Sequence, residues 1–521
     1  MKTPQIASSV KYAPPALFAL ALLPRLAAAL FWHTDGLYGQ DAYAYFEQAA
    51  ALARRLPAGL PPPQFHWPNG FPLLAALLMP LTGVSPLAGQ LVALLSGALL
   101  SPLLYLLCRD LFPGEPRGHI AGLIAGLSVA VAGQPLLSSI VVMADMPALM
   151  WLTLAAWLTV RSARPRPQPA LTFLAAGAAA GLAVITRWVY LLALPALVAF
   201  SLLAVGRRRL RWWQPPLAAL SGALVGLPQL WLSLQRPDTL LGHMWLMSWQ
   251  PAHFWQRQFE NPDGQFSYAL PNALFYAQPG GHPAFLFPLL GLMALWGSWQ
   301  LWRSRRFDAL LLLLGWVGPV YLFLAGIPYQ NLRFGLSLLP PLAALAGIGL
   351  ADVWPQSRRR PLVPALAALS LAAMLLWAIP MLNGFFSTQQ RSKDIARQTL
   401  AAVPPDAALL AFDITLTLRH ATHLPVLELY YQTPDTLADL TGAQSPLYLL
   451  VNEANINHQW QGKAPQQNLR WLQNNAALTF IEQFPPFTLY KIEPLPCKET
   501  TVLADFCATH PAAAICGGSR P

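Results

Sequence analysis

Phe71-Pro72-Leu73-Leu74-Ala75-Ala76-Leu77-Leu78-Met79-Pro80-Leu81-Thr82 is apolar almost throughout but only twelve residues long. As a helix it would rise ~18 Å, well short of the ~30 Å hydrocarbon core of a bilayer. Whether it crosses decides the side of every loop that follows. The arginines answer the question. If residues 71–82 are left out, apolar runs remain at 14–32, 87–108, 119–134, 146–160, 170–186, 188–205, 216–234, 284–302, 308–326, 332–350 and 362–381. Alternate loops then carry Arg109 and Arg117; Arg161, Arg164 and Arg166; Arg207, Arg208, Arg209 and Arg211; Arg303, Arg305 and Arg306; and Arg358, Arg359 and Arg360. With Lys2 and Lys11 these segments hold seventeen of the 33 Lys and Arg residues, against six in the loops between. The positive-inside rule therefore predicts a cytoplasmic N-terminus, about eleven spans and an extracytoplasmic C-terminal segment. Counting residues 71–82 as a span would turn the arginine loops outward, so they read as a helix lying at the outer interface.

Composition agrees. Only 11% of the 521 residues are charged and 55% are hydrophobic, whereas soluble domains carry roughly 25% charge. The net charge of +11 sits in short loops between apolar runs, which marks topology and not nucleic-acid binding. The N-terminal run from Pro14 to Trp32 is long enough to cross, so it reads as a signal anchor in preference to a cleaved signal peptide. The chain is expected in the inner (plasma) membrane.

The predicted domains are 1–382, a multi-spanning catalytic region with large outer loops at 33–86 and 235–283, and 383–521, a small extracytoplasmic α/β domain. In the first loop Ala42, Tyr45, Phe46, Ala49, Leu52, Ala53 and Leu56 recur at helical spacing from Asp41, giving an interfacial helix ahead of Pro61-Pro62-Pro63. In the tail, Thr388–Val403 and Gln466–Asn474 read as helices, and Ala407–Phe412, Leu447–Val451 and Phe487–Ile492 as strands. The loop at 235–283 carries Trp245, Trp249, Trp255, His243, His253 and Tyr268, which suit stacking on a sugar ring or lying in the interface. Cys108 falls at an inner helix end. Cys497, Cys507 and Cys516 leave room for one disulfide whose pairing the spacing does not determine.

Two acids stand out. Asp41 follows the first span in Gly39-Gln40-Asp41-Ala42-Tyr43, and Asp145 opens a later one in Met143-Ala144-Asp145-Met146-Pro147, on the same side and at the same depth. Each could do no more than cap its helix; together they form a site for activating a hydroxyl or holding a cation, with Asp41 and Asp145 as candidate ligands of a divalent ion. Arg187 in Thr186-Arg187-Trp188 and Arg333 in Asn331-Leu332-Arg333-Phe334 stand on the side poor in positive charge. They either snorkel to headgroups or clamp a phosphate. His66 is a candidate to join them; Tyr43, Asn69 and Tyr329 are candidate pocket residues. Arg25, mid-span, should face the bundle interior. No His/Cys/Asp/Glu set has metal-site spacing, and no P-loop, dinucleotide fingerprint or nucleophile elbow occurs.

In order and side, Asp41-Ala42-Tyr43, Pro68-Asn69-Gly70-Phe71-Pro72, Asp145-Met146-Pro147, Thr186-Arg187-Trp188 and Arg333-Phe334 ahead of Pro340-Pro341 resemble the GT-C glycosyltransferases. The likeness is to the branch with dolichyl-phosphate-mannose–protein mannosyltransferases and lipid A aminoarabinose transferases, and it spans about residues 10–350. The resemblance implies an inverting transferase (hexosyl or pentosyl) that moves a sugar from a polyprenyl-phosphate carrier to an envelope glycan, lipid or protein at the outer face. It makes Asp41 the base, Asp145 a supporting acid, and Arg187 and Arg333 contacts for the lipid phosphate. This chain departs from the family at Gln40, where a second acid is common, and at His66-Trp67, where a basic residue often precedes the Pro turn. A transporter or lipid flippase is the rival reading, but those place ionisable residues near the midplane and often show internal repeats. A non-catalytic envelope component is a second rival, for which neutralising both acids would leave function intact.

Overall fold

The apolar runs fold as helices. The computed structural model describes residues 6–164, 170–235, 244–354, 361–443 and 445–494. Arg166, Arg236, His243, Arg358–Arg360 and the three C-terminal cysteines lie outside them. Two compact units divide the chain: residues 1–260 with 266–390, and residues 261–265 with 391–521.

In the first unit α1 (Ile6–Phe31) is followed by α2 (Asp41–Arg55) and α3 (Gly70–Thr82), then by α4 (Leu87–Leu111). The helix α5 (Pro116–Val131) breaks into α6 (Gly133–Ser139) with a bend of 61°. Then come α7 (Asp145–Ser162), α8 (Ala170–Thr186), α9 (Leu194–Gly206), α10 (Gln214–Leu234) and the short α11 (Met244–Met247). A hairpin of β1 (Gln258–Asn261) and β2 (Gly264–Ser267), whose residues 261–265 count with the second unit, precedes α12 (Asn272–Ala277), α13 (Pro288–Arg303), α14 (Phe307–Gly326), α15 (Leu339–Val353) and α16 (Leu362–Ala402), which belongs to the first unit as far as residue 390. Each of the eleven apolar runs is helical over most of its length. Seven segments, or eight if the bent pair is one span, are long and apolar enough to cross a membrane; α8 and α13 are shorter, at 17 and 16 residues. The protein is a multi-pass membrane protein, and α3, at 13 residues, is too short to span.

Close helix contacts rest on glycine. A Cβ on Gly177 would lie 1.8 Å from the Ala218 carbonyl oxygen, so α8 and α10 meet at backbone distance. The outer face of α10 is left apolar and exposed at Leu220, Leu224 and Leu227, as lipid contact requires. At the α5–α6 break Ala132 is extended, and the carbonyls this frees need donors. Arg25, fully buried as expected of a mid-span charge, supplies them. Its Nη2 donates to Val129 O (3.3 Å), its Nη1 to Ala130 O (3.1 Å) and Ala21 O (2.7 Å), and its Nε to Ser139 Oγ (3.0 Å).

In the second unit a five-stranded sheet has the order β4-β3-β5-β7-β6, from β3 (Ala408–Ala411), β4 (Val426–Glu428), β5 (Leu447–Val451), β6 (Ala476–Phe484) and β7 (Phe487–Pro494). β3 pairs in parallel with both β4 and β5, and β7 runs antiparallel to β5 and β6. Between the strands lie α17 (Thr415–Ala421), α18 (Pro434–Gly442), α19 (Glu453–His458) and α20 (Ala464–Asn475). All five residues of β5 are buried, because both faces of the sheet are covered. One face packs Leu409, Ala411, Tyr448 and Leu450; the other packs Leu410, Leu447, Leu449 and Val451. The sequence reading found β3, β5 and β7 but not β4, which is three residues long, or the largely exposed edge strand β6.

Candidate active site

The loop after α1 and the segment before α7 are tied together, and this brings the two acids into one place. Val142 N donates to Gly36 O at 2.9 Å, and the Gln90 side-chain amide from α4 donates to both Thr34 O (3.0 Å) and Ile140 O (2.9 Å). Gly36 has φ +78°, and a Cβ there would sit 3.1 Å from Ile140 O, so the crossing favours glycine. Asp41 and Asp145 then open α2 and α7. Neither caps its helix: the N-cap positions are Gln40 and Ala144, with no side-chain cap bond in either. The capping alternative fails because both carboxylates turn to arginines instead.

Arg187 Nη1 lies 2.6 Å from Asp145 Oδ1. Arg333 reaches three groups: Nη2 donates to Asp41 Oδ2 at 2.9 Å, Nη1 to the Tyr38 hydroxyl oxygen at 3.1 Å, and Nε lies 3.6 Å from Asp145 Oδ2. Met143 Sδ is 3.6 Å from the same Nη1. Both guanidiniums lie against the ring of Phe334, at 5.4 and 5.7 Å from its centroid. Each arginine is held by local backbone. Arg187 is extended at the end of α8, where its N–H still donates to Ala183 O at 2.9 Å. Arg333 enters a seven-residue 3-10 helix (Leu332–Leu338) capped by Asn331, whose side-chain oxygen accepts its N–H at 3.0 Å.

The two acids differ. The Asp145 side chain is 4% exposed and that of Asp41 is 38% exposed. Asp145 is a buried anchor for two guanidiniums; Asp41 is the one a substrate can reach. The four charges sum to zero, so an incoming anion would meet arginines already fixed in place. A divalent cation fits less well. Among the described residues no group of three His, Cys, Asp or Glu side chains is assembled, and both acids already face guanidiniums.

The remaining expected residues fall around this cluster. His66 and Asn69 line a small cavity with Phe65, Trp67, Trp188, Gln229 and Ser233. Asn69 is fixed there by Gln48 (2.7 Å) and by its N–H to Gln229 (2.9 Å). Tyr43 is buried within α2. Tyr329 stands between Trp245 and Phe266, with ring centroids 4.9 and 5.5 Å away. Tyr45 stacks on Trp67 at 5.0 Å, and burial pushes its hydroxyl well above the usual range. Three participants escaped sequence reasoning. Phe334 was quoted only as the neighbour of Arg333, while Tyr38 and Met143 carry no pattern that marks them. Burial raises the Tyr38 hydroxyl, with the charge of Arg333 pulling the other way, so it stays protonated.

Solved structures share this architecture. The chain aligns with ArnT from Cupriavidus metallidurans bound to undecaprenyl phosphate at a TM-score of 0.59 and 16% identity, covering 90% of this chain and 97% of that one. The apo form of the same protein gives a TM-score of 0.60. Similarity extends to the oligosaccharyltransferase AglB from Archaeoglobus fulgidus in complex with an inhibitory peptide and a dolichol-phosphate, at a TM-score of 0.55 and 12% identity, with 94% of this chain and 75% of that one covered. This is the GT-C glycosyltransferase fold. The family profile of dolichyl-phosphate-mannose-protein mannosyltransferase matches residues 66–232, a stretch of the GT-C region that includes Asp145 and Arg187. No curated protein matches the sequence.

Proposed function

We propose that this GT-C protein transfers a sugar from a polyprenyl-phosphate carrier to an envelope glycan, lipid or protein, with inversion at the anomeric carbon, at the outer face of the inner membrane. The observation that carries this reading is the division of labour in the cluster: one accessible carboxylate, Asp41, beside two guanidiniums fixed by a buried one, Asp145. The undecaprenyl phosphate bound to ArnT and the dolichol-phosphate bound to AglB support a lipid phosphate as the leaving group.

In this mechanism the acceptor hydroxyl oxygen forms the new bond to the anomeric carbon, while the bond from that carbon to the phosphate oxygen breaks. The hydroxyl proton passes to Asp41 as general base. The departing polyprenyl phosphate gains negative charge, which Arg187 and Arg333 offset. Arg333 joins the two events, because it is bonded to Asp41 beforehand. Once Asp41 takes the proton, its hold on the guanidinium weakens, and Arg333 becomes available to the phosphate as the charge there rises. Asp145 keeps both arginines in place throughout.

Asp41→Asn tests this. The variant should reach the membrane folded and lose roughly 10²- to 10⁴-fold in transfer, the usual contribution of a positioned base. Transfer is read by mass spectrometry of envelope lipids and glycans from cells with and without the gene, which also identifies sugar and acceptor. Wild-type product levels in the Asn variant would sink the mechanism.

A further inference from the structure

A second built cluster lies away from the site. Asp110, near the end of α4, has a fully buried side chain and is surrounded by three arginines. Its Oδ1 accepts from Arg109 Nε at 2.9 Å and from Arg164 Nη2 at 2.6 Å; its Oδ2 accepts from Trp157 Nε1 at 3.0 Å and lies 3.6 Å from Arg161 Nη1. Two of these guanidiniums also rest on aromatic rings, Arg109 over Tyr105 at 6.0 Å and Arg161 over Trp157 at 5.6 Å. From Asp145 to Arg161 the chain advances along α7 by sixteen residues, about 24 Å of helix. The cluster therefore sits at the opposite end of α7 from the proposed active site.

One arginine would neutralise Asp110. Three leave the group at +2, with like charges held close on a fixed scaffold, and that arrangement favours an anion. The side chains of Arg109 and Arg161 remain 23% and 38% exposed, so these two keep donors that a ligand can reach, while Arg164 adds its charge beside them. α4 is apolar up to this point, and α7 carries no charged residue between Asp145 and Arg161. Ordered guanidiniums where apolar helices end stand at headgroup level, and basic pockets between spanning helices bind phospholipid headgroups. We propose that Arg109, Arg161 and Arg164, gathered by Asp110, form a binding site for the phosphate of an anionic phospholipid. Arg supplies the planar fork that such a phosphate takes up, and the buried carboxylate orders the three forks before the lipid arrives.

The test uses the full-length protein in neutral detergent, with thermal unfolding followed as lipid is added. Phosphatidylglycerol should raise the unfolding midpoint in a saturable way, and phosphatidylcholine should not. Replacing both Arg161 and Arg164 by Gln should move half-saturation to roughly 30-fold higher phosphatidylglycerol, about five-fold per arginine. If the double variant does not fold, Arg161→Gln alone serves, since its 3.6 Å link to Asp110 is the longest of the three; about five-fold is then expected. Equal lipid dependence in variant and wild type, or an equal response to phosphatidylcholine, would overturn the proposal. So would an equal shift from inorganic phosphate at the same concentration, because it would assign the site to a free ion.

Discussion

Asp145→Asn removes the anchor of the proposed active site while barely changing its volume. The native carboxylate lies 2.6 Å from Arg187 and 3.6 Å from Arg333. At an effective dielectric of about 20 these contacts are worth gross attractions of about 6 and 5 kcal/mol. Most of that is cancelled by the cost of taking three charged groups out of water, and breaking a buried pair by removing one partner leaves a net loss of about 3–5 kcal/mol. The amide also places an N–H donor, or a weaker neutral acceptor, against two guanidiniums, of which Arg333 still faces Asp41. The assay is a double-mutant cycle on equilibrium unfolding in mixed detergent micelles, using Asp145→Asn, Arg187→Gln and the pair. The double variant should be less damaged than the two single losses added together, with a coupling of about 2–4 kcal/mol, below the single loss because Arg333 also leans on Asp145. Coupling under about 1 kcal/mol, the size of a solvent-exposed pair, would show that Asp145 does not anchor Arg187 and would refute the reasoning.

Three further outcomes follow from other contacts. Tyr38→Phe removes the acceptor of Arg333 Nη1, so kcat/KM for the lipid donor should fall roughly ten- to hundred-fold, with a stability loss of about 1–3 kcal/mol from the buried donor left behind; a kcat/KM within two-fold of wild type would exclude a role for the hydroxyl. Gly177→Val drives a side chain into the Ala218 carbonyl and should destabilise the α8–α10 pair by about 1–3 kcal/mol or more, whereas Gly226→Val, with nothing within 4 Å of its Cβ position, is the control that should stay near wild type. In the second unit, burial holds the Glu428 carboxyl above its ordinary value, against hydrogen bonds from Thr415 and the Tyr430 N–H and reinforced by the charge of Asp413. A raised carboxyl favours folding below its unfolded pKa of about 4.3 and loses that contribution as pH rises through the folded value. Glu428→Gln should therefore slow hydrogen exchange in β3 and β4 at pH 7 and change it little at pH 4; equal effects at both pH values would contradict the assignment.

The helices were legible because lipid imposes a strong pattern: a crossing helix must be apolar for many residues, and its flanking charges sort by side. Asp41 and Asp145 were legible for the same reason, as acids in an acid-poor context. The short strands of the second unit were less so. β4 is three residues long, and β6 lies at an exposed edge, so neither shows the buried run that exposed β5 to reading. His66 was grouped with Arg187 and Arg333, yet it lines a cavity with Asn69 and Gln229, because the start of α3 packs on the end of α8. A Cβ on Gly70 would fall 2.6 Å from Ile185 O.

Sequence by itself determined where helices run, that the one at residues 71–82 is short for a span, and which four charged residues stand at the site-side ends of their segments. Only the tertiary structure decided how those charges are paired: Asp41 with Arg333, and Asp145 with Arg187 and at longer range Arg333. The physical reason is that polarity and length act along the chain, whereas ion pairing depends on which loops are tied together. Here the Gly36–Val142 bond and the two bonds of Gln90 tie segments more than a hundred residues apart. Pairing and burial in turn distinguish two aspartates that look alike in sequence, leaving one open to substrate and the other locked between arginines.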